Sequence, residues 1–288
     1  MLIHPGIDPV AFSLGPVLVR WYGLMYVFAF FAAWGLARLR AARAPWSRQG
    51  WTREGVDDMI VCCMIGVVAG GRIGYALFYD FASFAAHPLE LFRIWRGGMS
   101  FHGGFIGVTL AMWWWSRKQR RPFLEVMDFV APCVAPGLFF GRIGNFINGE
   151  LWGRVTDAPW GMIFPGGGSL PRHPSQLYEA GLEGLVLFAA VWLYSAGGGE
   201  RGRPRGRVAG LFALLYGLFR FLVEFVREPD VQIGYLAFGW LTMGQALCLP
   251  LIGVGLWLLL RPSAPAPVAA GPEAGRKRPA RPPRRERH

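Results

Sequence analysis

Charge is scarce in this chain, and acid is scarcer. Only 17% of the 288 residues are charged, and 18 Asp and Glu stand against 30 Lys and Arg. So little charge, with 53% hydrophobic residues and a mean hydropathy of +0.32, leaves more apolar surface than a soluble domain of this size carries. Cysteine is sparse too. Cys62, Cys63, Cys133 and Cys248 include no Cys-x-x-Cys pair. An adjacent pair is badly spaced for a disulfide or a metal site, so all four are expected to pack as small apolar residues. No basic segment precedes the first apolar run, which is also longer than a signal core, so a retained span is expected rather than a cleaved leader. No Gly-x-Ser-x-Gly surrounds Ser175, which leaves a serine hydrolase poorly supported. No repeat at a fixed period and no second soluble domain is visible.

What the chain has is long apolar runs. Residues 17–37, 58–78, 98–115, 123–140, 177–195, 208–225 and 235–260 each approach the roughly 20 residues that cross a bilayer. They predict an all-α polytopic membrane protein of about seven transmembrane helices. Arg38, Arg40, Arg43, Arg48 and Arg53 follow the first run. Arg117, Lys118, Arg120 and Arg121 follow the third, and Arg201, Arg203, Arg205 and Arg207 the fifth. The opposite loops hold only Arg93, Arg96, Arg154, Arg172 and Arg227. Basic residues stay cytoplasmic, so the N-terminus is expected on the periplasmic side and the C-terminus in the cytoplasm. That distribution also accounts for the net charge of +12 without nucleic acid, for which no binding module is visible. Residues 1–261 are expected to form one transmembrane catalytic domain. Residues 262–288, rich in Pro, Ala, Gly and Arg, are expected to be a disordered basic tail beside anionic lipid.

Counting about 1.5 Å per residue along each span puts the polar side chains at one depth, toward the outer leaflet. Arg20, Tyr22 and Tyr26 fall there, with Arg72 and Tyr75, His102, Arg142 and Asn145, Tyr178 and Glu179, and Arg220, Glu224 and Arg227. An ionisable group in lipid is costly and persists mainly where it lines a site. Arg72, Arg142, Arg220 and Arg227 outnumber Glu179, Glu183 and Glu224, which predicts an anionic ligand. A guanidinium fork suits phosphate, so a phospholipid headgroup is the natural occupant.

Each residue also has a plainer use. Arg142 and Asn145, three apart, share a helix face between Gly141 and Gly144, glycines that equally serve helix packing. Arg220 and Glu224, four apart, can neutralise one another and leave Arg227 over. His102, in a glycine-rich segment that admits close approach, is a general base or a structural histidine. Tyr26 is a headgroup contact or an interfacial tyrosine. Gln176 and Glu179 are expected to orient other groups. A transporter of an anionic lipid or solute would spread polar residues through both membrane halves and show inverted repeats. A scaffold would tolerate loss of both Arg220 and Glu224.

The segment Gly141-Arg142-Ile143-Gly144-Asn145-Phe146-Ile147-Asn148-Gly149-Glu150-Leu151-Trp152-Gly153 resembles the signature of bacterial prolipoprotein diacylglyceryl transferases. Arg20-Trp21-Tyr22-Gly23-Leu24-Met25-Tyr26, Gly70-Gly71-Arg72-Ile73-Gly74-Tyr75 and Ser100-Phe101-His102-Gly103-Gly104 are similar to further motifs of that family. So are His173-Pro174-Ser175-Gln176-Leu177-Tyr178-Glu179 and Arg220-Phe221-Leu222-Val223-Glu224-Phe225-Val226-Arg227. The resemblance spans about residues 1–261; only the tail departs from it.

The resemblance implies transfer of the diacylglyceryl group of phosphatidylglycerol to the lipobox cysteine of a preprolipoprotein signal peptide, in the bacterial inner membrane, without cofactor or metal. It implies catalytic roles for His102, Arg142, Arg220 and Tyr26. Asn145, Glu150 and Gly153 would shape the headgroup pocket, Glu224 would orient an arginine, and Arg72 and Arg227 would add contacts. Whether His102 removes the thiol proton, or the arginines alone lower the thiol pKa enough, stays open at this point. Membrane lipid is the only other partner expected.

Overall fold

The computed structural model describes residues 2–93, 97–229 and 234–262, so Arg96 and nearly all of the expected tail lie outside the described residues. The described chain is mainly helical. Its long helices are α1 (Trp21–Ala41), α2 (Arg53–Phe78), α4 (Phe101–Lys118), α5 (Phe123–Ile147), α8 (Arg207–Val223) and α9 (Met243–Leu260). A short α3 (Phe81–Ala86) follows α2. One further long helix begins as α6 (Ser175–Glu179), widens to a π-helix over Ala180–Val186 and continues as α7 (Leu187–Ala196). Among the described residues, five helices are long and apolar enough to cross a membrane: Trp21–Ala41, Arg53–Phe78, Phe123–Ile147, Ser175–Ala196 and Met243–Leu260. The other two expected runs also form helices, α4 with 18 residues and α8 with 17.

Two expected spans begin as β-hairpins instead of helix. β2 (Val10–Leu14) pairs antiparallel with β3 (Val17–Arg20), so Arg20 ends a strand and only caps α1. β5 (Tyr235–Ala237) pairs with β6 (Leu241–Thr242). Helix α9 starts only where Thr242 and Gln245 form a reciprocal capping box, each side chain accepting from the other's backbone N–H at 3.2 and 3.0 Å. At the chain's start, β1 (Leu2–Ile3) runs parallel to β4 (Met162–Ile163).

Helices α2 and α4 pack backbone to backbone along Gly66, Gly70 and Gly74 against Gly103 and Gly107; a methyl on Gly74 would stand 2.7 Å from the Gly103 Cα. Gly103, expected to admit substrate beside His102, is therefore spent on helix packing. At the other end of these helices, Trp46, Trp51, Trp115 and Phe129 form an aromatic core, with Trp51 stacked 3.8 Å from Phe129. Buried Arg40 donates to Phe129 O (3.1 Å) and Ser195 Oγ (3.1 Å). Asp128 accepts from Gly206 N (2.5 Å) and Ala209 N (2.8 Å), satisfying orphan donors where α8 begins. Arg40 and Asp128 tie α1, α5, α7 and α8 together at this end, and the candidate site lies at the opposite end of α5.

Candidate active site around Glu179

Helix α5 delivers Arg142 and Asn145 in its last two turns and stops at Asn148, before Gly149 at φ +65°. The chain then folds back so that Asn145 Nδ2 (2.8 Å) and Asn148 Nδ2 (3.2 Å) both donate to Glu150 Oε1. Gln176 Nε2 donates to Glu150 O (2.6 Å) and Ser175 Oγ to Leu151 O (3.0 Å), tying this turn to α6. Gly153 is wedged between Val226 and His173, where an added methyl would lie 2.8 Å from the His173 Cβ. Its N–H donates to His173 O (2.8 Å).

Glu179, 1% exposed at the end of α6, gathers three arginines from elsewhere in the chain. Arg142 Nε lies 2.5 Å from Oε2, while Arg220 Nη1 (2.8 Å) and Arg227 Nη1 (3.0 Å) share Oε1. Arg220 Nη2 also lies 2.7 Å from Glu224 Oε2, and Thr242 Oγ1 donates to the other Glu224 oxygen at 3.1 Å. Arg227, in the turn beyond α8, is thus not left over, as the sequence suggested, because α6 supplies its partner. Glu183, fully buried in the π-helix, stands 4.0 Å from Arg142 Nη2, and neither of its oxygens takes a hydrogen bond. π-turns concentrate at functional sites, and this one carries a polar side chain into the cluster.

The expected excess of arginine does not reach the cluster, because all five N–H donors of Arg72 are committed elsewhere. Nε donates to Leu91 O (3.0 Å), Nη1 to Gly97 O (2.5 Å) and Gly98 O (3.1 Å), and Nη2 to Glu90 O (2.6 Å) and Arg93 O (3.3 Å). No donor remains for a headgroup. Arg72 is 5% exposed and holds the segment leading into α4; it makes no contact with the Glu179 cluster. Three arginines therefore face Glu179, Glu183 and Glu224. Glu179 pairs with one nitrogen of each guanidinium, which leaves further N–H donors available to an anion, and all three arginines remain partly exposed, at 19%, 15% and 12%.

Tyr26 is exposed on α1, its hydroxyl 3.2 Å from Tyr22 OH, and it lies close enough to Arg142 and Glu150 to feel both charges. The Tyr22 ring covers Gly144, so that glycine serves helix packing, whereas Gly141 faces open space. His102 is exposed in the first turn of α4 beside Phe101 and has no hydrogen bond or ion pair with another described residue. No contact joins it to the Glu179 cluster. In the loop before α6, Trp160 Nε1 donates to Tyr178 OH (2.7 Å), which lies 3.1 Å from His173 Nδ1. Burial pushes the His173 imidazole below its usual range, opposed by Asp157. His4 Nδ1 accepts from Gly6 N (3.1 Å), so its Nε2–H donates to Phe146 O at 2.7 Å, a carbonyl at the end of α5 that also accepts from Gly149 N (2.9 Å). Arg154 Nε donates to Arg227 O (2.9 Å). Among the described residues, no three or more His, Cys, Asp or Glu side chains stand in a metal-binding group.

Helices long and apolar enough to cross a membrane, enclosing partly exposed arginines ordered by buried carboxylates, mark a polytopic membrane protein. Residues 9–261 match the family model described as prolipoprotein diacylglyceryl transferase. Among similar proteins, one from Nitratidesulfovibrio vulgaris strain DP4 is 65% identical over 259 residues, covering 90% of this chain and 96% of the relative. One from N. vulgaris strain Miyazaki F is 63% identical over 274 residues, covering 95% and 100%. One from Coxiella burnetii strain RSA 331 is 58% identical over 264 residues, covering 91% and 98%. All three are named phosphatidylglycerol–prolipoprotein diacylglyceryl transferase. The chain belongs to the prolipoprotein diacylglyceryl transferase family and is a transferase.

Proposed function

We propose that this protein transfers the diacylglyceryl group of phosphatidylglycerol to the lipobox cysteine thiol of a preprolipoprotein, forming a thioether and releasing glycerol phosphate. The observation that carries this reading is the convergence of Arg142, Arg220 and Arg227 on Glu179. Buried Glu179 holds three mutually repelling guanidinium groups together before any ligand arrives, with their remaining donors free for phosphate oxygens.

Sulfur attacks the glyceryl carbon that bears the phosphate. The carbon–oxygen bond breaks, its electron pair stays on the phosphate oxygen, and the growing negative charge meets guanidinium groups already in place. Arg142 and Arg220 carry that stabilisation, with Arg227 beside them and Glu224 orienting Arg220. Asn145 and Glu150 shape the glycerol side of the pocket, Gly153 keeps its wall thin, and Tyr26 contacts the headgroup. His102, uncommitted among the described residues, takes the thiol proton. Arg72 acts at a distance by fixing the segment from which α4 and His102 begin.

In this reading α4 and α8 complete a bundle of seven spans in residues 1–261, with the N-terminus and the site toward the periplasm of a bacterial inner membrane. Both substrates are membrane-bound and reach the site laterally, between helices. Purified protein given labelled phosphatidylglycerol and a lipobox peptide is expected to yield a thioether-linked diacylglyceryl peptide. A folded preparation that forms none overturns the proposal.

A further inference from the structure

At the end of α4 and α5 remote from Glu179 lies an open cavity of about 450 Å³, lined by Trp113, Ser116, Arg117, Arg120, Arg121 and Phe123 among others. Phe123 precedes Arg142 by 19 residues of one helix, roughly 30 Å at 1.5 Å per residue, so this is not part of the transferase site. Its arginines are spent unequally. Arg121 is a fixed wall, donating to Gln49 O (3.1 Å), Gly50 O (2.6 Å) and Glu125 Oε1 (2.7 Å). Arg117 and Arg120 are exposed and have no acidic partner among the described residues. Arg120 is held at φ +53° in the turn between the helices, a conformation that costs a non-glycine residue energy and is imposed here by backbone bonds on either side.

Aromatic rings set the depth of the cavity. Trp113 and Trp114 are both exposed, with Arg117 over one ring at 5.3 Å and Lys118 over the other at 5.3 Å. Exposed indoles beside basic groups mark the headgroup level of a bilayer, where the ring is buried and the charge stays wet. A soluble anion would gain nothing from them, whereas a phospholipid places its phosphate at the arginines and its glycerol and chains along the indoles.

We propose that this cavity binds the phosphate of an anionic phospholipid in the leaflet at that end of the bundle, as a site separate from the substrate pocket. The proposal rests on the membrane-spanning reading and not on the transfer reaction. The full chain in nanodiscs containing phosphatidylserine, released for native mass spectrometry, is expected to retain this lipid. Arg117→Gln with Arg120→Gln is expected to weaken retention about thirtyfold, from two basic groups near a membrane surface, and Arg120→Gln alone about fivefold. The Arg117→Lys with Arg120→Lys pair is expected to keep most of it. Thioether formation, measured on the same preparations, reports folding and is expected to stay unchanged, since neither arginine touches the Glu179 cluster. If the double glutamine variant does not fold, the single variant carries the comparison. Equal retention by wild type and the folded glutamine variants overturns the proposal. Displacement of the lipid by excess inorganic phosphate overturns it in favour of a soluble anion.

Discussion

Arg142 Nε lies 2.5 Å from Glu179 Oε2, joining the last turns of α5 to the point where α6 widens into a π-helix. The contact is the shortest link in an arrangement where one carboxylate holds three arginines. Removing one partner of a buried ion pair leaves the others uncompensated, a larger loss than the pair was worth.

Glu179→Gln is therefore expected to be among the most damaging single changes in the chain. Three guanidinium groups would repel one another with no carboxylate to share. Thioether formation is expected to fall by about a hundredfold or more, with a lower thermal midpoint in detergent. Unchanged turnover and midpoint would remove Glu179 from its organising role.

Arg142→Lys keeps the charge and removes the planar fork. An ammonium can still pair with Glu179 but cannot also offer a second, parallel donor to phosphate. Turnover is expected to drop by about 10²-fold, the scale for losing one fixed donor to a developing charge. Steady-state kinetics with labelled phosphatidylglycerol check this, and near-normal rates would argue against bidentate contact.

Arg72→Gln should behave differently. The wild-type side chain satisfies five carbonyl oxygens, and the amide can satisfy at most two, so the expected loss is stability of the segment leading into α4. The KM for phosphatidylglycerol of the folded fraction is expected to stay within about twofold of wild type, since Arg72 has no donor to give a headgroup. A large rise in KM without loss of thermal stability would return Arg72 to the substrate pocket.

His173 gives the fold a pH dependence of defined sign. Burial lowers its folded pKa below the ordinary value of about 6.5, so its contribution is fully present above that value and is lost as pH falls through the lower, folded one. The thermal midpoint is expected to decline on acidification below about pH 6.5, and His173→Gln to flatten that part of the profile. An identical profile in the variant would assign the acid sensitivity to another group.

The long helices were legible because a span is a composition, and composition survives in one dimension. The hairpins were not. Val17-Leu18-Val19 and Tyr235-Leu236-Ala237 are apolar on both faces, so they continue the neighbouring helical runs without the alternation that marks a half-buried strand. Arg142 stood out as a charge in an apolar run. Depth counting could not separate it from Arg72, because residue number along a helix gives height but not the direction a side chain faces. The central place of Glu179 was hidden for a related reason. Its partners come from α5, from α8 and from the turn beyond α8, and only their packing brings the three to one carboxylate.

One small strand has a practical corollary for anyone handling this molecule. Leu2 and Ile3 are stitched to Met162 and Ile163, and His4 to the carbonyl of Phe146, one residue beyond Asn145. A purification tag or reporter fused ahead of Leu2 therefore pulls on the end of α5 that carries Arg142 and Asn145, while the same cargo placed beyond Arg261 hangs from the far end of α9.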